Sequence, residues 1–244
     1  MPRSRPALGC RRRLSRTHYL ASLLAGAVGD VADERKRVVA SGYDRMAERY
    51  LEWGGTIEGD PRHRMLAAFS DRLPADARVL DLGCGAGVPS TQQLAQRFHV
   101  LGVDISRSQL ELARRNVPEA EFRLGDFSEL QLAEGAFEGV VALYAVSHLP
   151  REQHGQLFVD VFRWLAPGGL FLATLGAADS PDWTGEWLGE EMFFSSHDAD
   201  ANRQLMRAAG FDLMVDEVAV THEPGGDVSF LWVIGQKPPV AERW

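Results

Sequence analysis

At 244 residues with 45% apolar side chains, the chain is long enough for one α/β domain with a full core. Its formal charge of −8 is uneven: residues 1–30 carry six Arg and one Asp, leaving −13 on the remainder, which excludes a body built to grip a phosphate backbone. Two cysteines, Cys10 and Cys84, exclude a disulfide framework and point to a reducing, cytoplasmic compartment.

The basic residues 1–30 are set apart as an N-terminal extension. Arg11 to Arg13 and the apolar run Tyr19 to Gly29 resemble a signal sequence, but the run is too short to span a bilayer. Three readings stay open: a dispensable or disordered extension, such as a reading frame begun too far upstream would add; a helix capping the fold; and a targeting segment.

Residues 31–236 read as one domain, with 237–244 as a tail. A helix from about Val31 to Trp53 places Val39, Tyr43, Met46, Tyr50 and Leu51 on one face, and Gly54-Gly55 ends it. A second amphipathic segment follows Pro61, with Met65, Leu66, Phe69 and Leu73 along one side. Strand and helix then alternate. Strands are expected at Arg78 to Leu82, Val100 to Asp104, Glu121 to Leu124, Gly139 to Leu143 and Leu170 to Leu175, with helices at Pro89 to Phe98, Ser106 to Asn116 and Arg151 to Leu165. Short apolar strands of this kind belong to a buried parallel sheet. Residues 176–197 break the pattern, with aromatic side chains among Gly, Asp and Ser and no clear period. A helix from Ala199 to Ala209 and two strands, Phe211 to Val220 and Val228 to Ile234, complete the series, joined by a turn at Glu223-Pro-Gly-Gly.

The organising stretch is VLDLGCGAGVPSTQ, from Val79 to Gln92: a buried strand, a glycine turn and a helix start whose N–H groups face a ligand. Gly83, Gly85 and Gly87 are spaced G-x-G-x-G, so the strict dinucleotide fingerprint fails, since Val88 stands where its third Gly belongs. Asp81, two residues before the first Gly, favours a ligand carrying a positive group over a pyrophosphate.

This stretch resembles the first motif of the class I S-adenosylmethionine-dependent methyltransferases, and the likeness continues in order over about residues 35–236. VLGVDIS (Val100 to Ser106) resembles the second motif, FRLGDF (Phe122 to Phe127) the third, FEGVVALYAVSHL (Phe137 to Leu149) the fourth, and LAPGGLFLATL (Leu165 to Leu175) the strand that follows. YDRMAERY resembles the lid helix of the small-molecule subgroup. The resemblance implies a Rossmann-like methyltransferase fold: a doubly wound, mostly parallel seven-stranded α/β sheet, a helical lid over 31–75 and an aromatic cap insertion over 176–197.

It also implies S-adenosyl-L-methionine as cofactor. Asp104, with Ile105 beside it, would accept the ribose hydroxyls, unless Asp104 serves only as a helix N-cap. Asp126 would accept the adenine amino hydrogens and the Phe127 backbone N–H would meet the ring, the alternative for both being a simple loop cap. Asp81, Gly83, Gly85, Gly87 and the backbone at Leu143 would surround the methionine end, with Tyr43 and Tyr50 either covering it or packing in the core.

His148, just past the fourth strand, is the candidate general base, against a purely structural role before Leu149-Pro150. His154 is expected to be exposed, and His197 and His222 are weaker candidates for the substrate site. Tyr50, Trp53, Trp183, Trp187, Phe193 and Phe194 are candidates for an acceptor pocket, the last four forming either a lid or a hydrophobic plug. Tyr144, Ala145 and Val146 stand where a metal-dependent site would need carboxylates, so no metal is expected. Neither a nucleobase-type N/D-P-P-Y/F motif nor a suitable nucleophilic cysteine is present, and the acidic body argues against base flipping.

The expected partner is a small, largely apolar or aromatic methyl acceptor of specialised metabolism, with no nucleic acid and no membrane. Two alternatives are a same-fold enzyme of another reaction, such as a cyclisation, and a non-catalytic regulatory partner that binds the cofactor. Oligomeric state is not specified by the sequence.

Overall fold

The computed structural model describes residues 34–240, so the expectations for residues 1–30 and for the end of the tail lie outside the described residues. Helix α1 (Glu34–Gly54) crosses the top of the domain, and α2 (Arg62–Ser70) packs beneath the sheet. The alternating part then runs β1 (Arg78–Leu82), α3 (Ser90–Ala95), β2 (His99–Asp104), α4 (Arg107–Asn116), β3 (Glu121–Leu124), β4 (Phe137–Ala142), α5 (His154–Trp164) and β5 (Leu165–Gly176). After β5 come the strands β6 (Ser180–Trp187) and β7 (Glu190–Ser196), helix α6 (Ala199–Ala208), and the hairpin β8 (Asp212–Glu223) and β9 (Gly226–Gln236).

Among the described residues, seven strands form one sheet in the order β3-β2-β1-β4-β5-β9-β8. β3, β2, β1, β4 and β5 pair in parallel, while β9 runs antiparallel to both β5 and β8. This is the expected doubly wound α/β architecture. Both sheet faces are covered, which is why the parallel strands read as continuous apolar runs. Alternate residues of β1 show it: Val79 packs with Met65, Leu66 and Phe69 of α2, whereas Leu80 and Leu82 pack with Phe158 and Trp164 of α5. Strand order reverses between β1 and β4, and a cleft opens there at the carboxyl edge.

The irregular stretch of the sequence folds as a separate two-stranded hairpin, β6–β7. Its turn is Leu188-Gly189, both at positive φ (48° and 76°). Two-residue hairpin turns favour Asn, Asp or Gly at the first such position, so a leucine hides the turn from sequence reading. Met192 and Phe193 of this hairpin bury against Val39 and Met46 of α1, and Glu190 pairs with Arg45 and Arg49. Lid helix and hairpin are therefore one roof. Among the described residues no helix is long and apolar enough to cross a membrane.

Candidate active site

Under that roof, at the carboxyl edge of β1, β2 and β4, lies a cavity of about 960 Å³. That volume is at the upper end of the range for small-ligand sites. Its floor is the glycine turn. Gly83 has φ of 70°, and a Cβ placed on it would stand 2.5 Å from the Ala145 Cβ, so only glycine lets the β4 loop close onto the turn. Gly85 also lines the cavity, whereas Gly87 lies behind it, against Val117 and Ala113 of the α4 layer.

Two buried carboxylates face this floor. Asp81 accepts a hydrogen bond from the Thr91 hydroxyl at 2.6 Å, and burial raises its pKa to about 6. Asp104 accepts the Gly85 N–H on Oδ2 and the Ser106 N–H on Oδ1, each at 2.8 Å, and burial likewise raises it to about 6. The N-cap of α4 is Ser106, whose hydroxyl accepts the Gln109 N–H at 3.1 Å, so the cap falls two residues beyond Asp104. Ile105, Phe127 and Leu143 complete this end of the wall.

The opposite end is aromatic. Tyr50 stacks on Trp53 with ring centroids 5.8 Å apart, Trp187 meets Trp53 edge-on at 5.1 Å, and Phe194 meets Trp187 edge-on at 5.4 Å. Trp183 borders the same space, whereas Phe193 is fully buried beneath the roof and does not line the cavity. Successive β7 residues point to opposite faces, which separates Phe193 from Phe194.

His148 stands between the two ends, in a short 3₁₀ turn at Val146–His148. Its Nδ1 lies 3.0 Å from the Phe193 carbonyl and its Nε2 lies 2.8 Å from the Tyr43 hydroxyl. A carbonyl can only accept, so Nδ1 carries the proton and Nε2 offers a lone pair, which Tyr43 meets as donor. Burial lowers the His148 pKa to about 4, so the ring is neutral at physiological pH.

Other positions differ from expectation. Asp126 is absent from the cavity wall: its Oδ2 pairs with the buried Lys36 of α1 at 2.7 Å, and its Oδ1 accepts the N–H and hydroxyl of Ser128 at 2.9 and 2.8 Å. It caps a 3₁₀ turn at Phe127–Glu129 and ties the lid down. His154 is buried, not exposed, with its Nε2 on the Leu149 carbonyl at 3.1 Å, because α5 starts only after a 3₁₀ turn that rotates this residue inward. His197 sits on the Arg151 carbonyl, and His222 pairs with Asp227 on the exposed hairpin.

Sequence reading missed a polar corner of the cavity. Arg62, at the start of α2, pairs with Asp60 at 2.9 Å and lies 4.9 Å over the ring of Tyr144, whose hydroxyl donates to Asp60 at 3.0 Å. Tyr144 has φ of 58°, a backbone region uncommon outside glycine and concentrated at functional sites. Pro61 signalled only a helix start, so nothing in the local pattern marked Arg62. Among the described residues no group of three or more His, Cys, Asp or Glu side chains stands ready to hold a metal ion.

Comparison with known proteins bears on this arrangement. The methyltransferase domain family matches residues 79–169. That segment is similar to methyltransferase domains. It holds the glycine turn, Asp104 and His148, while the lid, the hairpin and β8–β9 lie outside it. The chain is 42% identical over 113 residues to a trans-aconitate 2-methyltransferase of Variovorax paradoxus (strain S110), covering 45% of this chain. It spans only 42% of that relative's length. Among solved structures, the 1,6-didemethyltoxoflavin-N1-methyltransferase of Burkholderia thailandensis, crystallised with that compound and S-adenosylhomocysteine, superimposes with a TM-score of 0.63 at 21% identity. It covers 87% of this chain and 94% of that one. The cyclase SpnF superimposes with a TM-score of 0.65 at 17% identity, covering 85% and 98%. Both structural likenesses show the methyltransferase fold around the domain.

Proposed function

We propose that the protein binds S-adenosylmethionine and transfers its methyl group, without a metal, to an O or N atom of a small, largely apolar or aromatic molecule. The observation that carries the reading is one cavity in which the glycine turn with its two carboxylates faces an aromatic wall across a neutral histidine. The residues suit that cofactor. Asp104 keeps a free lone pair on each oxygen for ribose hydroxyls, Phe127 offers a flat apolar face to adenine, and the Gly83–Ala145 contact leaves the turn's backbone open to the ligand. Asp81 answers the amino group of the methionine end. Arg62, close enough for its charge to act on Asp81, answers the carboxylate.

The bound cofactor supplies a methyl group on a sulfonium, an intrinsically good donor. The protein's work is then alignment and exclusion of water. Trp53, Trp187 and Phe194 hold the acceptor by apolar contact, and α1 with the β6–β7 hairpin closes over it. His148 takes the acceptor's proton at Nε2. Tyr43, which now donates to that nitrogen, must turn its hydroxyl aside within the closed cavity so that the lone pair faces the acceptor.

Isothermal titration with S-adenosylhomocysteine tests the cofactor assignment: the folded protein should bind it, and no binding sinks the reading. The SpnF likeness favours one second reading, a cyclisation on the same fold. Product mass separates them, because methyl transfer adds one methyl group and cyclisation adds nothing.

A further inference from the structure

The sequence Ser106-Arg-Ser-Gln109 has the form of a capping box, in which the N-cap hydroxyl takes the N3 N–H and the N3 side chain returns to the N-cap N–H. The first half of that box is made, from the Gln109 N–H to the Ser106 hydroxyl at 3.1 Å. Its second half is not. The Ser106 N–H instead goes to Asp104 Oδ1 at 2.8 Å, so the cavity carboxylate has displaced the Gln109 side chain from its usual partner.

The freed amide is then left without company. Gln109 is 1% exposed, and neither its Nε2 nor its Oε1 has a hydrogen-bond partner. A primary amide buried with both ends unsatisfied loses its hydrogen bonds to water without replacement, so α4 carries a penalty that an apolar residue here would avoid. The side chain lines the cavity. Its Oε1 comes within 3.7 Å of where a Cβ on Gly85 would lie, and Gly85 is the residue whose N–H binds Asp104 Oδ2. Asp104 offers only acceptors, and Gln109 adds a donor and an acceptor beside it. A carboxylate next to an unpaired amide, over a glycine turn that admits a ligand closely, suits a pair of adjacent hydroxyls, each able to donate to one group and accept from another.

We propose that Gln109 is the second reader of the cofactor's ribose, its amide hydrogen-bonding to one of the two vicinal hydroxyls while Asp104 accepts from the diol. The inference rests on the proposed binding of S-adenosylmethionine. It explains why the capping box is half-made and why a fully buried amide stands unpaired. Gln109 is a binding residue and takes no part in the chemistry of transfer.

The test uses the full chain and its Gln109→Met variant, titrated with S-adenosylhomocysteine and with its 2′-deoxy and 3′-deoxy analogues, alongside thermal unfolding without ligand. The variant should bind S-adenosylhomocysteine about three- to tenfold more weakly, the range for one net hydrogen bond. With one of the two deoxy analogues that loss should vanish, since the hydroxyl met by the amide is then gone. The ligand-free variant should melt no lower than the wild type. Equal proportional losses for all three ligands, or a lowered melting temperature with unchanged affinity, would overturn the proposal in favour of a structural role. Failure of the wild type to bind S-adenosylhomocysteine would overturn the cofactor reading itself, a separate and earlier result.

Discussion

The ion pair between Lys36 and Asp126 gives the sharpest prediction about how the lid is held. Lys36 Nζ lies 2.7 Å from Asp126 Oδ2, 2.7 Å from the Ser128 hydroxyl and 3.6 Å from Glu129 Oε1, with the Lys36 and Asp126 side chains only 5% and 3% exposed. Lys36→Met keeps the apolar stem and removes the charge, leaving Asp126 buried with two hydrogen bonds from Ser128 and no counter-ion. Breaking a buried pair from one side costs about 3–5 kcal/mol. The surviving Ser128 bonds place the expected loss near the lower end, ~3 kcal/mol, a large part of the stability of an ordinary domain. Asp126→Asn in the same background should recover much of it, because the neutral amide no longer needs the cation, so the two substitutions should be non-additive by ~2 kcal/mol. Urea unfolding at neutral pH, fitted with a shared m-value, measures all three variants. A loss below ~1 kcal/mol for Lys36→Met, or strict additivity in the double variant, would refute a buried and coupled pair. The reading of Asp126 as lid anchor would fall with it.

Gly83→Ala meets both a φ of 70° and a side chain 2.5 Å away, so S-adenosylhomocysteine affinity should drop at least tenfold and stability by about 1–3 kcal/mol; calorimetry and thermal melting check the two, and a wild-type-like variant would show that the turn is loose. Cofactor affinity should also fall with acid. Asp81 and Asp104 must be ionised to bind and their free-state pKa values are raised to about 6, so affinity is full well above pH 6 and declines about tenfold per unit below it for each group that must lose its proton. A titration series from pH 8 to 5 reads this, and flat affinity across it would remove both carboxylates from the site. The same acid limb should persist in His148→Ala, since His148 protonates only near pH 4.

The fold was legible wherever one local rule decided the matter. Val79, Leu80 and Leu82 read as a strand buried on both faces because α2 and α5 cover the two sides, and the continuous apolar run carries that information by itself. Boundaries slipped where tertiary pairing extends an element. β8 continues to Glu223 because its hairpin with β9 pairs as far as Gly226, well past the last residues with an apolar alternation. The β6–β7 hairpin was illegible for a different reason. Its turn uses Leu188 at positive φ, and its stability comes from burying Met192 and Phe193 against α1, a helix about 150 residues earlier in the chain. No window of sequence contains both partners.

The site divides along the same line. Asp81, Asp104 and the glycine turn lie within one βαβ segment, and the ordered motifs along that segment carry the resemblance that pointed to them. Gln109, Arg62 and Lys36 escaped because their meaning depends on what a neighbour has already used: the Ser106 N–H taken by Asp104, the Asp60 carboxylate shared with Tyr144, the Asp126 oxygen claimed from the lid. His148 combines both cases. Its place after β4 follows from the motif, but its tautomer is set by the Phe193 carbonyl of the roof and its lone pair is met by Tyr43 of the lid. Burial makes a charged His148 costly in the free protein. In the proposed reaction methyl transfer would discharge a sulfonium in the same cavity, so a proton arriving on Nε2 would restore the charge the site loses and leave its net charge unchanged. On that proposal, a histidine too buried to ionise alone would ionise at the one step that removes a neighbouring cation, and a closed roof that keeps water out would strengthen the coupling.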